Sequence, residues 1–146
     1  MWENQVSIDI AVSPVQVFDY LANFARHGEW SMSVNALEQI TPGPIGVGTE
    51  FKSHETLPIE FDSFARITAL DAPTRIAWES TDYQVFRTVW EFEIHPYEQG
   101  ARVIQRVTFY PISDFGNEFL PVRQTQVEPE NRKSLERIKQ ILETAS

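Results

Sequence analysis

The 146-residue chain has no cysteine, so disulfides, thiol nucleophiles and thiolate metal sites are all excluded. Basic residues are also scarce: twelve Lys and Arg stand against twenty-one Asp and Glu, a formal charge of −9. Such a surface repels a phosphate backbone on average, which disfavours nucleic acid and stable association with an anionic membrane. No run approaches the roughly 18 apolar residues of a membrane span. Residues 1–10, "MWENQVSIDI", lack a basic segment followed by a continuous apolar one, so no secretory leader is expected and the cytoplasm is the expected compartment. No G-x-S-x-G elbow is present. His54 is followed by Glu55 but not by a second histidine at the spacing a zinc helix needs, so neither a metal nor a cofactor is expected.

Glycine is sparse too, and half of it is concentrated: Gly43, Gly46 and Gly48 are three of the six in the chain. Clustered glycines can cradle a phosphate where a strand meets a helix. Here Pro42 and Pro44 remove two backbone donors, the order is G-x-x-G-x-G, and the following "TEFKSHETL" alternates like a strand. The stretch is therefore expected to be a tight turn into a strand.

Aromatic residues are abundant, at 12%, with four Trp and ten Phe. Together with 42% hydrophobic residues they describe one globular domain with a real core, spanning residues 1–146. The alternation in "VSIDI" predicts a half-buried strand. Ser13, Pro14 and Gln16 then form a capping box with proline in the first helical turn. "NFARHGEW" predicts a second short helix ending at Gly28, with Trp30 just beyond. Six strands are expected next, over residues 37–40, 49–57, 61–70, 75–81, 84–96 and 101–111, the last two forming a hairpin around "YEQG". An irregular stretch is expected between Pro111 and Pro121, with Pro129 as the first turn of the last helix or a kink within it. In that helix Leu135, Ile138, Ile141, Leu142 and Ala145 form one apolar stripe. Strands flanked by helices indicate an α+β fold, with the last helix laid across the apolar face of an antiparallel sheet.

Several segments resemble the START/Bet v 1-like (SRPBCC) superfamily, and within it the polyketide cyclase/dehydrase-like members. They are "SPVQVFDYLANFARHGEW", "TPGPIGVGTEF", "ITALDAPTRIAWE", "VWEFEIHPYEQGARVIQRVTF" and "NRKSLERIKQILE". The resemblance spans nearly the whole chain and implies a helix-grip fold, a curved antiparallel sheet around a long C-terminal helix with a cavity between. It implies a small, largely apolar ligand such as a lipid, a polyketide or another aromatic metabolite. Two alternatives also follow from it, a polyketide cyclase, aromatase or dehydratase using the same cavity, and a protein-interaction module like the chaperone activators. The superfamily has no shared catalytic set, so no catalytic residue transfers.

Strand parity supplies the candidate lining. Phe86, Thr88 and Trp90 share a face with Phe92, and Gln105 and Phe109 share one with Val103 and Val107. Trp78 brings Ile76 and Ser80, Ile67 brings Phe61, Ser63 and Ala65, and Phe51 brings Ser53, Glu55 and Leu57. Stepping back along the last helix from Leu135 reaches Asn131 and Gln124. Ligand-binding candidates are thus Trp30, Phe51, Glu55, Trp78, Phe86, Thr88, Trp90, Gln105 and Phe109. Packing alone also accounts for the apolar members, since burying each is worth roughly 1.5–3 kcal/mol. Glu55 is the one carboxylate that parity turns inward, which makes it the candidate acid-base group; at the end of a twisted strand it would instead sit in water. A monomer or homodimer is expected.

Overall fold

The computed structural model describes residues 1–32, 34–56, 60–82 and 85–145. The chain runs β1 (Trp2–Ile10), α1 (Pro14–Ala22), a 3₁₀ segment (Phe24–Glu29), β2 (Val34–Gln39), β3 (Glu50–Glu55), β4 (Phe61–Asp71), β5 (Arg75–Asp82), β6 (Phe86–Tyr97), β7 (Gly100–Pro111) and α2 (Asp114–Ala145). Among the described residues seven strands form one sheet in the order β1-β7-β6-β5-β4-β3-β2. Every neighbouring pair is antiparallel.

The local signals act as chemistry requires. Gln16 N–H donates to Ser13 Oγ at 3.2 Å and Ser13 N–H donates to Gln16 Oε1 at 3.1 Å, so the capping box closes and α1 begins at Pro14. The glycine cluster is a turn. Gly43 and Gly48 take φ of 97° and 92°, a region that side chains disfavour. Gly48 N–H donates to Ile67 O and Gly46 N–H to Thr49 Oγ1, so these two donors are spent inside the protein and not on an anion. The 3₁₀ segment runs one residue past Gly28 and leads into Trp30.

The apolar faces close on one another. Leu135 and Ile138 of α2 are buried with Val6, Ile10 and Val103, so the helix lies over the β1–β7 side of the sheet. Ile141 and Leu142 are half-buried, and Ala145 at the end of the stripe is exposed. On the other face of the sheet Arg106 reaches Glu91, Glu93 and Gln5, Arg75 pairs with Glu91, and Arg102 forks onto Asp9. Charged residues thus cover the wet side.

One expectation fails. The stretch between Pro111 and Pro121 is not irregular: from Asp114 onward it belongs to α2, and both Pro121 and Pro129 lie inside that longer helix. A proline removes one helical hydrogen bond and crowds the preceding turn, at about 3 kcal/mol in a helix interior. Tertiary contacts offset that here. Val127 is buried with Phe86, Val107 and Phe109, and Phe119 and Leu120 pack against them. Ser113 Oγ accepts from Gly116 N–H at 3.0 Å, and Ser113 O accepts from Asn117 N–H, which starts the helix. Gly116 permits the close approach beside it, since a Cβ there would lie 2.2 Å from Val85 O.

Candidate functional site

Between the sheet and the N-terminal part of the chain lies a cavity walled by Phe24, Trp30, Phe51, Trp78 and Trp90 and closed along one side by Glu130, Asn131 and Ser134 of α2. The cavity volume is about 40 Å³. That interior admits a few waters or a small group at most without movement of the walls.

The aromatic wall is continuous. Phe24 stacks on Phe51 at 5.2 Å and meets Trp78 edge-on at 5.6 Å. Trp78 and Trp90 face each other across β5 and β6, and Trp30 meets Phe92 edge-on at 5.5 Å. These offset and edge arrangements suit the ring quadrupoles.

Six of the nine sequence candidates line the cavity: Trp30, Phe51, Glu55, Trp78, Trp90 and Gln105. Phe86, Thr88 and Phe109 are buried on the same face of the sheet but lie off the lining. Phe86 and Phe109 belong to a second apolar cluster with Val127, where α2 fills the space. Parity identifies the face of a strand, whereas the position of a hollow along it depends on what packs above. On α2, Asn131 lines the cavity as the turn spacing implies, while Gln124 is half-buried and off it. Leu57 lies outside the described residues.

Glu55 is half-buried, not immersed in water, and its Oε2 accepts from Ser63 Oγ at 3.0 Å. Ser63 is buried on the neighbouring strand, directly opposite Ser53. Glu130 accepts from both terminal nitrogens of Arg123 at 3.1 Å, and Arg123 is itself buried and also reaches Gln126. Ser134 Oγ accepts from Met32 N–H at 3.1 Å, tying α2 to the segment after Trp30.

Sequence reasoning misses His27. It weighs the histidines only as metal ligands, yet His27 lines the cavity and is 5% exposed. Its ring sits 4.3 Å from that of Trp30 and 5.3 Å from that of Trp78, with Phe24 stacked at 5.9 Å. Burial pushes the imidazole down to about 3, so it is neutral at ordinary pH. The signal lies in "NFARHG": Phe24 and His27 are three apart, and in a 3₁₀ turn that spacing places them on one side.

Three buried side-chain atoms have no hydrogen-bond partner among the described residues: His27 Nδ1, Ser53 Oγ and Gln105 Oε1. All three residues line this cavity. Leaving such a group unsatisfied costs roughly 1–3 kcal/mol, so coincidence in one place calls for an explanation. The other two histidines are elsewhere. His54 sits on the opposite face of β3 between Asp62 at 2.8 Å and Glu60 at 2.9 Å, and His95 pairs with Glu93.

A curved antiparallel sheet gripping a long C-terminal helix, with an aromatic hollow between them, defines the helix-grip fold of the Bet v 1-like proteins. The family described as "Polyketide cyclase / dehydrase and lipid transport" matches residues 1–143, and the chain belongs to it. No curated protein matches the chain by sequence. Solved structures share the fold at low identity. The protein TTHA0849 from Thermus thermophilus superposes with a TM-score of 0.80 at 17% identity, covering 99% of each chain. The Zhui aromatase/cyclase from a Streptomyces species gives 0.82 at 12% identity, covering 97% of this chain and 93% of its own. Ara h 8.0201 gives 0.74 at 14% identity, covering 98% of each.

Proposed function

We propose that the protein binds a small, largely apolar molecule in the cavity between the sheet and α2, and does so in the cytoplasm as a monomer or homodimer. One observation carries this reading: aromatic rings from β3, β5, β6 and the segment around Trp30 enclose a hollow that the protein's own side chains leave partly empty. Ligand sites are of this kind, mostly apolar with a few placed polar groups. The family's description, which includes lipid transport, agrees with it. Among the described residues no helix is long and apolar enough to cross a membrane. Titration with apolar fluorophores, fatty acids, sterols and aromatic polyketides is expected to give saturable quenching of tryptophan emission by at least one class. Absence of binding across all of them overturns the reading.

A second reading, cyclase or dehydratase, draws on Glu55, a carboxylate within the cavity and held by Ser63. The Zhui protein, which shares the fold, is named as an aromatase/cyclase. The cavity would hold a flexible poly-β-ketone near its product shape while Glu55 moved a proton. The interior of about 40 Å³ does not separate the two readings, because a lipid or a long ketide chain alike requires the walls to part. A protein-interaction module with a filled core is less well supported, since the aromatic walls leave part of the interior empty.

A further inference from the structure

The hollow lies where the inner face of the sheet carries small side chains. Ser53 stands opposite Ser63 across β3 and β4, and Ala65 opposite Ser80 across β4 and β5, and all four line the cavity. Side chains of this size fill little space, whereas Ile67, Ile76 and Phe92 on the same face are buried in the core. The strip ends at Glu55, half-buried, whose carboxylate accepts from Ser63 Oγ at 3.0 Å. A carboxylate offers about four acceptor positions, so one hydroxyl does not exhaust it.

The charges around this strip are uneven. Glu130 is neutralised by Arg123. Arg66 also borders the cavity, but it is exposed, and its register position between Glu50 and Glu79 belongs to the outer face of the sheet. Lys52 and His54 lie on that outer face too, where both reach Asp62. His27 is held neutral by burial. The unpartnered atoms of His27, Ser53 and Gln105 are buried even from the cavity and take no part in recognition, while the N–H groups of His27 and Gln105 carry no net charge. The charge left facing the hollow is the carboxylate of Glu55, and the whole protein, at −9, adds a field of the same sign.

We infer that the cavity selects an amphipathic amine, a ligand whose apolar body lies against Phe51, Trp78 and Trp90 and whose protonated nitrogen donates to Glu55 beside Ser63. This rests on the ligand-binding reading of the cavity and adds to it the charge of the ligand's polar end. A hydrogen bond between an ammonium and a carboxylate is charge-assisted and about twice as strong as a neutral one. Aromatic walls also tolerate a cation better than aliphatic ones, because the ring faces carry negative potential. Glu55 is here the residue that sets specificity, and the rings supply area.

Three ligands of similar shape test this: 4-propylbenzylamine, 1-ethyl-4-propylbenzene and 4-propylphenylacetate, each titrated into the full chain at neutral pH with tryptophan quenching as the readout. The amine is expected to bind about tenfold more tightly than the hydrocarbon, the worth of one charge-assisted hydrogen bond. In Glu55→Gln the amine should fall to within about twofold of the hydrocarbon, while the hydrocarbon binds as before and so reports that the cavity is kept. Arg66→Gln, on the outer face, should leave the order of the three unchanged. Equal binding of amine and hydrocarbon to the unaltered protein overturns the inference and leaves the cavity reading standing, and this comparison needs no variant to fold. Tightest binding by the phenylacetate overturns it too, as does an amine preference that survives Glu55→Gln. Failure of all three to bind removes the inference together with the cavity reading.

Discussion

Arg123 and Glu130 stand seven residues apart on α2, yet both guanidinium terminal nitrogens reach the carboxylate at 3.1 Å, with the side chains only 7% and 17% exposed. The pair bridges the turn in which Pro129 withdraws a backbone donor, and Glu130 lines the cavity. It therefore joins the part of α2 over the second apolar cluster to the part beside the hollow.

Removing Glu130 leaves the Arg123 guanidinium charged and desolvated, with only the neutral Gln126 amide still accepting from it. Glu130→Ala is expected to cost roughly 3–5 kcal/mol in denaturant unfolding. The double variant Arg123→Met, Glu130→Leu should lose far less, because apolar side chains of similar size fill the space without an orphaned charge. A double variant as unstable as the single one shows that the pair is worth more than its removal by apolar replacement allows.

Acid stability tests the environment of His27. The folded state holds this imidazole down to about 3 from its ordinary 6.5. The unfolded chain therefore takes up the proton as pH drops through 6.5, while the folded chain does not until near 3. Folding stability falls across that window, by up to about 1.4 kcal/mol per pH unit. Asp9, Glu29 and Glu143, held low by Arg102, Arg26 and Lys139, add losses in the same direction at lower pH. The His27→Leu variant should thus gain on the parent progressively from pH 6.5 downward. A constant difference across that range means the ring is hydrated in the folded protein.

Gly116 sets how closely α2 approaches the start of β6. A Cβ there meets Val85 O at 2.2 Å, and the backbone must shift to admit it. Gly116→Ala is expected to cost about 1–3 kcal/mol by overpacking, despite alanine's better helix propensity. A stabilised variant in thermal unfolding contradicts the close approach.

Glu55 separates the two functional readings. Glu55→Gln keeps an acceptor for Ser63 and the shape of the side chain, so apolar ligands should bind it within about twofold, much less than the loss of one hydrogen bond. Under the cyclase reading, turnover of a poly-β-ketone should drop about 100-fold or more, the usual worth of an acid-base group. Unchanged turnover takes Glu55 out of that role.

Much of the architecture is legible in the sequence because its signals are local. The Ser13–Gln16 box, the positive-φ glycines and the alternation in β6 and β7 each require only neighbours in the chain to be read. Parity puts Trp78, Trp90, Gln105 and Glu55 on the inner face because side chains in a strand alternate whatever lies above them. The first half of α2 is not legible for the converse reason. Two prolines are a local argument against a helix, and the contacts of Val127, Phe119 and Leu120 that outweigh it come from strands distant in sequence.

The amino-acid sequence by itself therefore determined the family, the order of strands and helices, and which residues face inward. Only the tertiary structure decided where along that face a hollow remains: filled beside Phe86 and Phe109, open beside Trp78 and Gln105. It also decided that His27 borders the hollow together with Ser53 and Gln105. The physical reason is that alternation and capping are properties of neighbours a few residues apart. A cavity is a failure of distant side chains to fill space, and it exists only once the helix has been laid against the sheet.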